Sequence, residues 1–283
     1  MNSMEMAEQN HRKRHFFPSD LEPEERRLLG KKAEYYKDAE HLPGEVIKPL
    51  ELIYGEDGVC TGYFYREPEF SYLSLKELFQ KDKVEQYHID GHLLFSIAKR
   101  VLYILMELSE AGIFPGLIEL DSILVHEKRP DKAVMIGNVE HFQAGELVST
   151  FPWYPSDSGL FEEEVNLFDE KSQKKADAKL IYKILTLSSK GNAKIPPNPK
   201  NQELSYLFWN ILSREWKEFF LQLSEKDVDY GQVMSLLAQS IEEEKYYTCP
   251  EDRRMTEEAS AARCLSSSDQ KAYAAIVVLR EAG

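Results

Sequence analysis

A chain of 283 residues in which 42% are hydrophobic carries enough apolar material for one large core or two small ones. Its formal charge of −14 argues against nucleic acid and anionic membrane as main partners. Three scattered cysteines, Cys60, Cys249 and Cys264, form neither a CxxC pair nor a metal-ligand spacing, which fits a reducing compartment better than a disulfide scaffold.

Residues 1–17 are polar and lack the apolar centre of a secretory leader, so the sequence predicts a disordered or partly extended start and a cytoplasmic location. No apolar run approaches the ~18 residues that cross a bilayer. Pro18-Ser19-Asp20 introduces a helix whose first turn carries Glu22, Glu24 and Glu25, where carboxylates complement the helix dipole. That helix runs through Tyr36 and ends before Pro43-Gly44. Val46 to Tyr54 predicts a strand at an edge or a bulge, because Pro49 cannot donate to a ladder. Gly55-Glu56-Asp57-Gly58 is a hairpin turn, and Val59 to Tyr65 is the partner strand. In residues 67–90, Leu73, Leu75, Leu78 and Phe79 are apolar anchors, and Ser74 is placed to cap a helix. His88 and His92 stand four apart, a spacing that binds metal on some helices, but no third ligand is near and polar or capping roles are expected.

The stretch from Leu93 to Phe142 organises the chain. Leu93, Leu94, Ile97, Val101, Leu102, Ile104, Leu105 and Leu108 recur at helical spacing and predict a long helix with one broad buried face. It stops at Ala111-Gly112, where glycine suits a left-handed cap. Ile123-Leu124-Val125 is a short buried strand. Glu127 to Lys132 is hairpin-turn chemistry, and Ala133 to Ile136 is the return strand. Further on, Lys175 to Leu185 reads as a buried helix whose Asp177 must be hydrogen-bonded to be tolerated inside. Glu162-Glu163-Glu164 reads as a solvated face. Pro196-Pro197-Asn198-Pro199 is a stiff loop, and helices follow at about 203–213, 214–224 and 229–244. Beyond Cys249 comes a polar, helix-like stretch and then the apolar run Ala274 to Leu279, a helix or strand with a docking place elsewhere.

In order and spacing these segments resemble the protein kinases over residues 18–245. A kinase catalytic loop follows a helix ending in small-Gly-Ile-hydrophobic and reads His-Arg-Asp-Leu-Lys-Pro-Glu-Asn-Ile-Leu. Here Gly112-Ile113-Phe114 leads without a gap into Pro115-Gly116-Leu117-Ile118-Glu119-Leu120-Asp121-Ser122-Ile123-Leu124. Leu117 stands where the catalytic aspartate would be, and Ser122 where the metal-binding asparagine would be. Asn138-Val139-Glu140 occupies the Asp-Phe-Gly position, and Phe142-Gln143 is similar to a bacterial subgroup whose metal motif reads Asp-x-Asp-Ser-Phe-Gln. Phe151-Pro152-Trp153-Tyr154-Pro155-Ser156 resembles the aromatic-x-Pro-Glu close of an activation segment, with Ser156 for the glutamate.

The resemblance implies an α+β, protein kinase-like fold with a truncated small lobe over 18–66, a mostly helical large lobe over 67–246, and a tail, 247–283, that it does not reach. Glu34 would be the regulatory-helix glutamate, and Asp177 the carboxylate that holds the catalytic-loop backbone. The glycine-free segment before the first helix is too short for a phosphate-cradling hairpin, and Lys13 is the one candidate for the nucleotide-binding strand lysine. Phosphoryl transfer needs positioned phosphates, a divalent metal and a carboxylate that accepts the hydroxyl proton. Leucine accepts no proton, and asparagine is a neutral, weaker magnesium ligand than aspartate. A catalytically inactive, pseudokinase-like scaffold is therefore expected, with no catalytic residue, no resident metal or cofactor, and a protein partner. One alternative is an atypical kinase or other ATP-dependent phosphotransferase that uses ATP and Mg through a rearranged site at Glu119, Asp121 and Glu140. Another is an unrelated helical interaction protein, which the absence of strands at 46–65 and 123–136 would favour. No G-x-S-x-G, H-E-x-x-H or zinc spacing supports a hydrolase.

Overall fold

The computed structural model describes residues 12–87, 89–143, 170–188, 194–198, 204–244 and 246. The chain runs through β1 (Arg12–Phe16), α1 (Pro23–Lys37), β2 (Pro49–Tyr54), β3 (Cys60–Arg66) and β4 (Tyr72–Ser74). Two short helices, α2 (Leu75–Leu78) and α3 (Lys81–Gln86), precede the long α4 (Gly91–Glu110) and the hairpin β5 (Ile123–His126) and β6 (Val134–Ile136). Four helices complete the described chain: α5 (Glu170–Leu185), α6 (Leu204–Ile211), α7 (Arg214–Leu221) and α8 (Tyr230–Glu242). The architecture is mixed α+β, with two antiparallel three-stranded sheets ordered β1-β3-β2 and β4-β5-β6. His88, the Phe151–Ser156 segment, the acidic run Glu162-Glu163-Glu164, Cys249, Cys264 and residues 247–283 lie outside the described residues.

The first sheet forms because β1 lies flat on β3, from Arg12 opposite Arg66 to Phe16 opposite Gly62. A Cβ at Gly62 would sit 2.1 Å from the His15 carbonyl oxygen, so glycine is what lets the two backbones meet. Pro49 opens β2, an edge strand with register shifts after Pro49 and Ile53, as a strand without that N–H donor must be. Helix α1 starts at Pro23 behind a reciprocal capping box between Glu22 and Glu25, and lays Leu29 and Ala33 onto Phe17, Cys60 and Tyr63.

Three boundaries differ from expectation. The first helix is shorter at both ends than the predicted span. The strand predicted from Val46 begins at Pro49, because Ile47 N–H donates to Ile136 O at 2.8 Å and Ile136 N–H to Glu45 O at 2.9 Å. That short parallel bridge ties the two sheets together. Strand β4 is unpredicted; its three residues carry too little pattern, and pairing with β5 supplies what local sequence does not.

The main core forms around α4, which buries Leu94, Phe95, Ile97, Ala98, Val101, Leu102, Ile104, Leu105 and Leu108. Each of the leucine, isoleucine, valine and phenylalanine side chains contributes about 1.5–3 kcal/mol by leaving water. Its N-cap, Asp90, accepts the Leu93 N–H at 2.8 Å. At the other end Gly112 takes φ +69°, and Ile113 N–H closes back on Leu108 O at 2.9 Å, the left-handed cap that the sequence predicts. Helices α5 and α8 pack against α4, and the core continues to Trp216, whose indole N–H donates to Ser240 Oγ at 3.1 Å. Among the described residues no helix is long and apolar enough to cross a membrane.

Ser74 caps α2 as expected: its Oγ accepts Glu77 N–H at 3.2 Å while its own N–H donates to Glu77 Oε2 at 2.8 Å. Ser74→Ala is expected to cost about 1 kcal/mol. Urea unfolding should show a lower midpoint at an unchanged slope.

Candidate functional site

Two loops meet beneath the first sheet: the segment between α4 and β5, and the turn after β6. Phe114 and Gln143 join them with a reciprocal pair of backbone hydrogen bonds, at 2.8 and 2.7 Å. The first loop is also gripped by a side chain. Gln173 of α5 accepts Gly116 N–H at 2.8 Å and donates to Gly116 O at 3.1 Å. Its amide donates as well to Asp177 Oδ1 at 2.6 Å, one helical turn on, and Tyr230 OH donates to Asp177 Oδ2. Asp177 therefore reaches the loop backbone through Gln173. Burial pushes its carboxyl up to about 7, against the opposing pull of the Tyr230 and Gln173 hydrogen bonds.

The second loop opens on Asn138, held in the left-handed region at φ 59° and ψ 46°. Its Nδ2 donates to Ser122 Oγ at 2.6 Å, and Gly137 N–H donates to Ser122 O at 2.8 Å. Ser122 is buried, Leu117 is half-buried, and Glu119 and Asp121 are exposed. Asp121 is engaged by Lys76 at 3.2 Å.

Glu140 is the residue where the structure departs furthest from the sequence reading. Read from the sequence only as one carboxylate of a rearranged site, it is 1% exposed and points up into the first sheet. His15 Nε2 lies 2.6 Å from Glu140 Oε1, Tyr63 OH donates to Oε2 at 2.8 Å, and His141 Nε2 lies 3.8 Å from Oε1. Lys32, 1% exposed on α1, adds its field from the other side. Burial acts to raise the Glu140 carboxyl, but the His15 hydrogen bond and the charges of His15 and His141 outweigh it and hold the group below the usual carboxylate range. Burial lowers Lys32 to about 8, with Glu140 opposing. Burial also lowers His141, against the pull of the same carboxylate. A strand, a helix, a second strand and a distant turn thus converge on one carboxylate.

The remaining predicted residues lie elsewhere. Lys13 sits on β1, 2.6 Å from Glu67 and 3.1 Å from Tyr72 OH; these bonds, that to Glu67 foremost, raise its ammonium above the ordinary lysine value. Glu34 faces solvent on α1, and Lys32 is the charged residue that turns inward there. His92 pairs with Tyr246 OH at 2.8 Å. Among the described residues no group of three or more His, Cys, Asp or Glu side chains is arranged to hold a metal ion.

Sequence reasoning missed His15, Lys32, Tyr63, Gln173 and Tyr230. One signal was present for Lys32. Leu29, Ala33 and Tyr36 mark the inner face of α1, and Lys32 falls inside that stripe. No protein-family model matches the chain, and no curated protein matches it either.

Proposed function

We propose that this chain is a kinase-like protein without phosphoryl-transfer chemistry, a pseudokinase-like scaffold that acts by binding a protein partner. The observation that carries this reading is the bond between Asn138 and Ser122. In the kinase resemblance these are the two positions that hold the metal ions. Here both side chains are neutral, and the amide is committed to the hydroxyl at 2.6 Å. Leu117, at the position of the proton acceptor, is apolar. Glu140, two residues beyond Asn138, is buried against His15 and Tyr63.

The order of elements supports the same reading. A strand precedes the first helix, two antiparallel strands follow, and a long buried helix leads through a tight loop into a hairpin. Strands at 49–66 and 123–136 count against an unrelated helical protein. His15 on β1, rather than Lys13, is the side chain directed at a buried carboxylate, so the strand serves an internal ion pair.

Thermal unfolding of the purified protein with millimolar ATP or GTP, in magnesium, manganese or EDTA, tests the absence of nucleotide chemistry. A ligand at a hundred times its Kd would add about 2.7 kcal/mol, a rise of at least about 2 °C in a domain of this size. The expected result is no metal-dependent shift. A shift present with magnesium or manganese and abolished by EDTA would overturn the reading in favour of an atypical phosphotransferase, with Glu119 and Asp121 the first residues to replace.

A further inference from the structure

Strand β1 stands at an edge of its sheet. It pairs with β3, and among the described residues no strand pairs with its other side. Phe17 N–H donates to Thr61 O at 2.9 Å, in register with the same ladder. Backbone bonding alternates along an antiparallel pair, so Lys13 and His15 also direct their N–H and C=O groups at β3, and Arg12, Arg14 and Phe16 direct theirs away from the sheet. An open row of backbone groups of this kind is a template for a further strand.

The side chains alternate as well. Those of His15 and Tyr63 turn inward to Glu140, so Arg12, Arg14 and Phe16 share the outer face with Phe64 and Arg66. The three arginines are exposed, and Phe16, at the end of the row, is 55% exposed. Arg12 stands directly opposite Arg66, and the Arg14 guanidinium lies 5.4 Å from the centre of the Phe64 ring. Glu51 of β2 reaches Arg12 at 3.2 Å. In a chain of formal charge −14, a row of arginine and phenylalanine thus runs along one open edge.

We propose that β1 receives an extended acidic segment of a partner protein as an added antiparallel strand, with carboxylates beside Arg14 and Arg12 and an apolar side chain beside Phe16. Cross-strand neighbours on one face stand about 4.5–5.5 Å apart, so the segment reads apolar-x-acid-x-acid from its N-terminal end. A second copy of this chain does not fit the edge, because pairing two β1 strands sets a basic strand against a basic strand, with Arg14 facing Arg14 when the two are centred. A nucleic acid has no peptide groups to offer the edge, and the net charge of the chain repels a polyanion. The inference rests on the scaffold reading for the existence of a partner and names where and how that partner binds.

Fluorescence anisotropy tests it in the full chain with the labelled, amidated peptide Thr-Phe-Thr-Glu-Thr-Glu-Thr. Replacing both glutamates of the peptide by glutamine is expected to weaken binding by about tenfold or more. Methylating the backbone nitrogens of those glutamates keeps the charges and removes the bonds to Arg12 and Arg14, and is expected to weaken binding by about tenfold as well. Arg12→Glu combined with Arg14→Glu, both at exposed positions, should reverse the preference in favour of a peptide with lysine in place of glutamate, a gain that a misfolded variant does not give. Failure to saturate at millimolar peptide, equal affinity for the methylated peptide, or an unreversed preference would overturn the proposal. Tighter binding of an oligothymidylate would overturn it too, and would make a nucleic acid the ligand. The two readings fail separately: the scaffold falls on a metal-dependent nucleotide shift, and the edge falls on these titrations.

Discussion

Glu140→Ala is expected to destabilise the fold by about 3–5 kcal/mol, the range for removing one partner of a buried charge pair. The cost arises from what remains. Lys32 would keep a buried charge without its carboxylate, Tyr63 would lose its acceptor, and His15 would face an apolar gap. Glu140→Gln should fall between, since it keeps the acceptor and drops the charge. Lys32→Met in the Glu140→Gln background should recover part of the loss, because removing both charges spares the desolvation of each. Urea unfolding of the parent, Glu140→Gln, Lys32→Met alone and the double variant gives the coupling directly. A coupling energy below about 0.5 kcal/mol, the limit for independent sites, would mean that Lys32 and Glu140 do not act as a pair. The pH dependence has a definite sign. Glu140 is held below its ordinary range in the folded protein, so its contribution is present at neutral pH and lost as pH falls through that lowered value. His141 is also depressed, so between its ordinary value near 6.5 and the lower folded one the unfolded chain binds the extra proton. Both groups make the fold acid-sensitive.

Asp177 should behave oppositely. Its folded carboxyl titrates at about 7 against an ordinary 3.8, so between those values the folded protein holds a proton that the unfolded chain has lost. Stability contributed by this group is full below about pH 4 and declines as pH rises through 7, by on the order of 2–4 kcal/mol. Asp177→Asn supplies a permanently neutral side chain that still accepts from Gln173 and donates to Tyr230. The variant is expected to be more stable than the parent at pH 8 and to match it near pH 4. Guanidinium unfolding of both proteins across that range reads the difference, and a flat difference would show that Asp177 is ionised in the folded state throughout.

These two carboxylates show what was legible in the sequence and what was not. The helical spacing from Leu93 to Leu108 announced α4, Gly112 its end, and Ser74 a cap; each is a local rule acting on nearby residues. Asp177 was legible as a buried polar residue, but its action through Gln173 was not, because nothing marks which neighbour one turn away will reach the loop. Glu140 was legible only as a carboxylate close to Asn138. Its burial depends on His15 and Lys32, which lie more than a hundred positions earlier, and no window of sequence contains both halves of that cluster. Strand β4 escaped for a related reason, since its pairing partner lies across α4.

The link between His15 and Glu140 spans 125 positions of sequence, and this sets a schedule for the newborn chain. Strand β1 leaves the ribosome early, yet the carboxylate it serves arrives only after α4 and both strands of the later hairpin. At about 5–20 residues per second, synthesis separates the two by about 6–25 s. During that interval His15, Tyr63 and Lys32 face one another without their anion. The N-terminal sheet is therefore the part of this protein that completes last among the elements made first, and the interval is when a chaperone has most to hold.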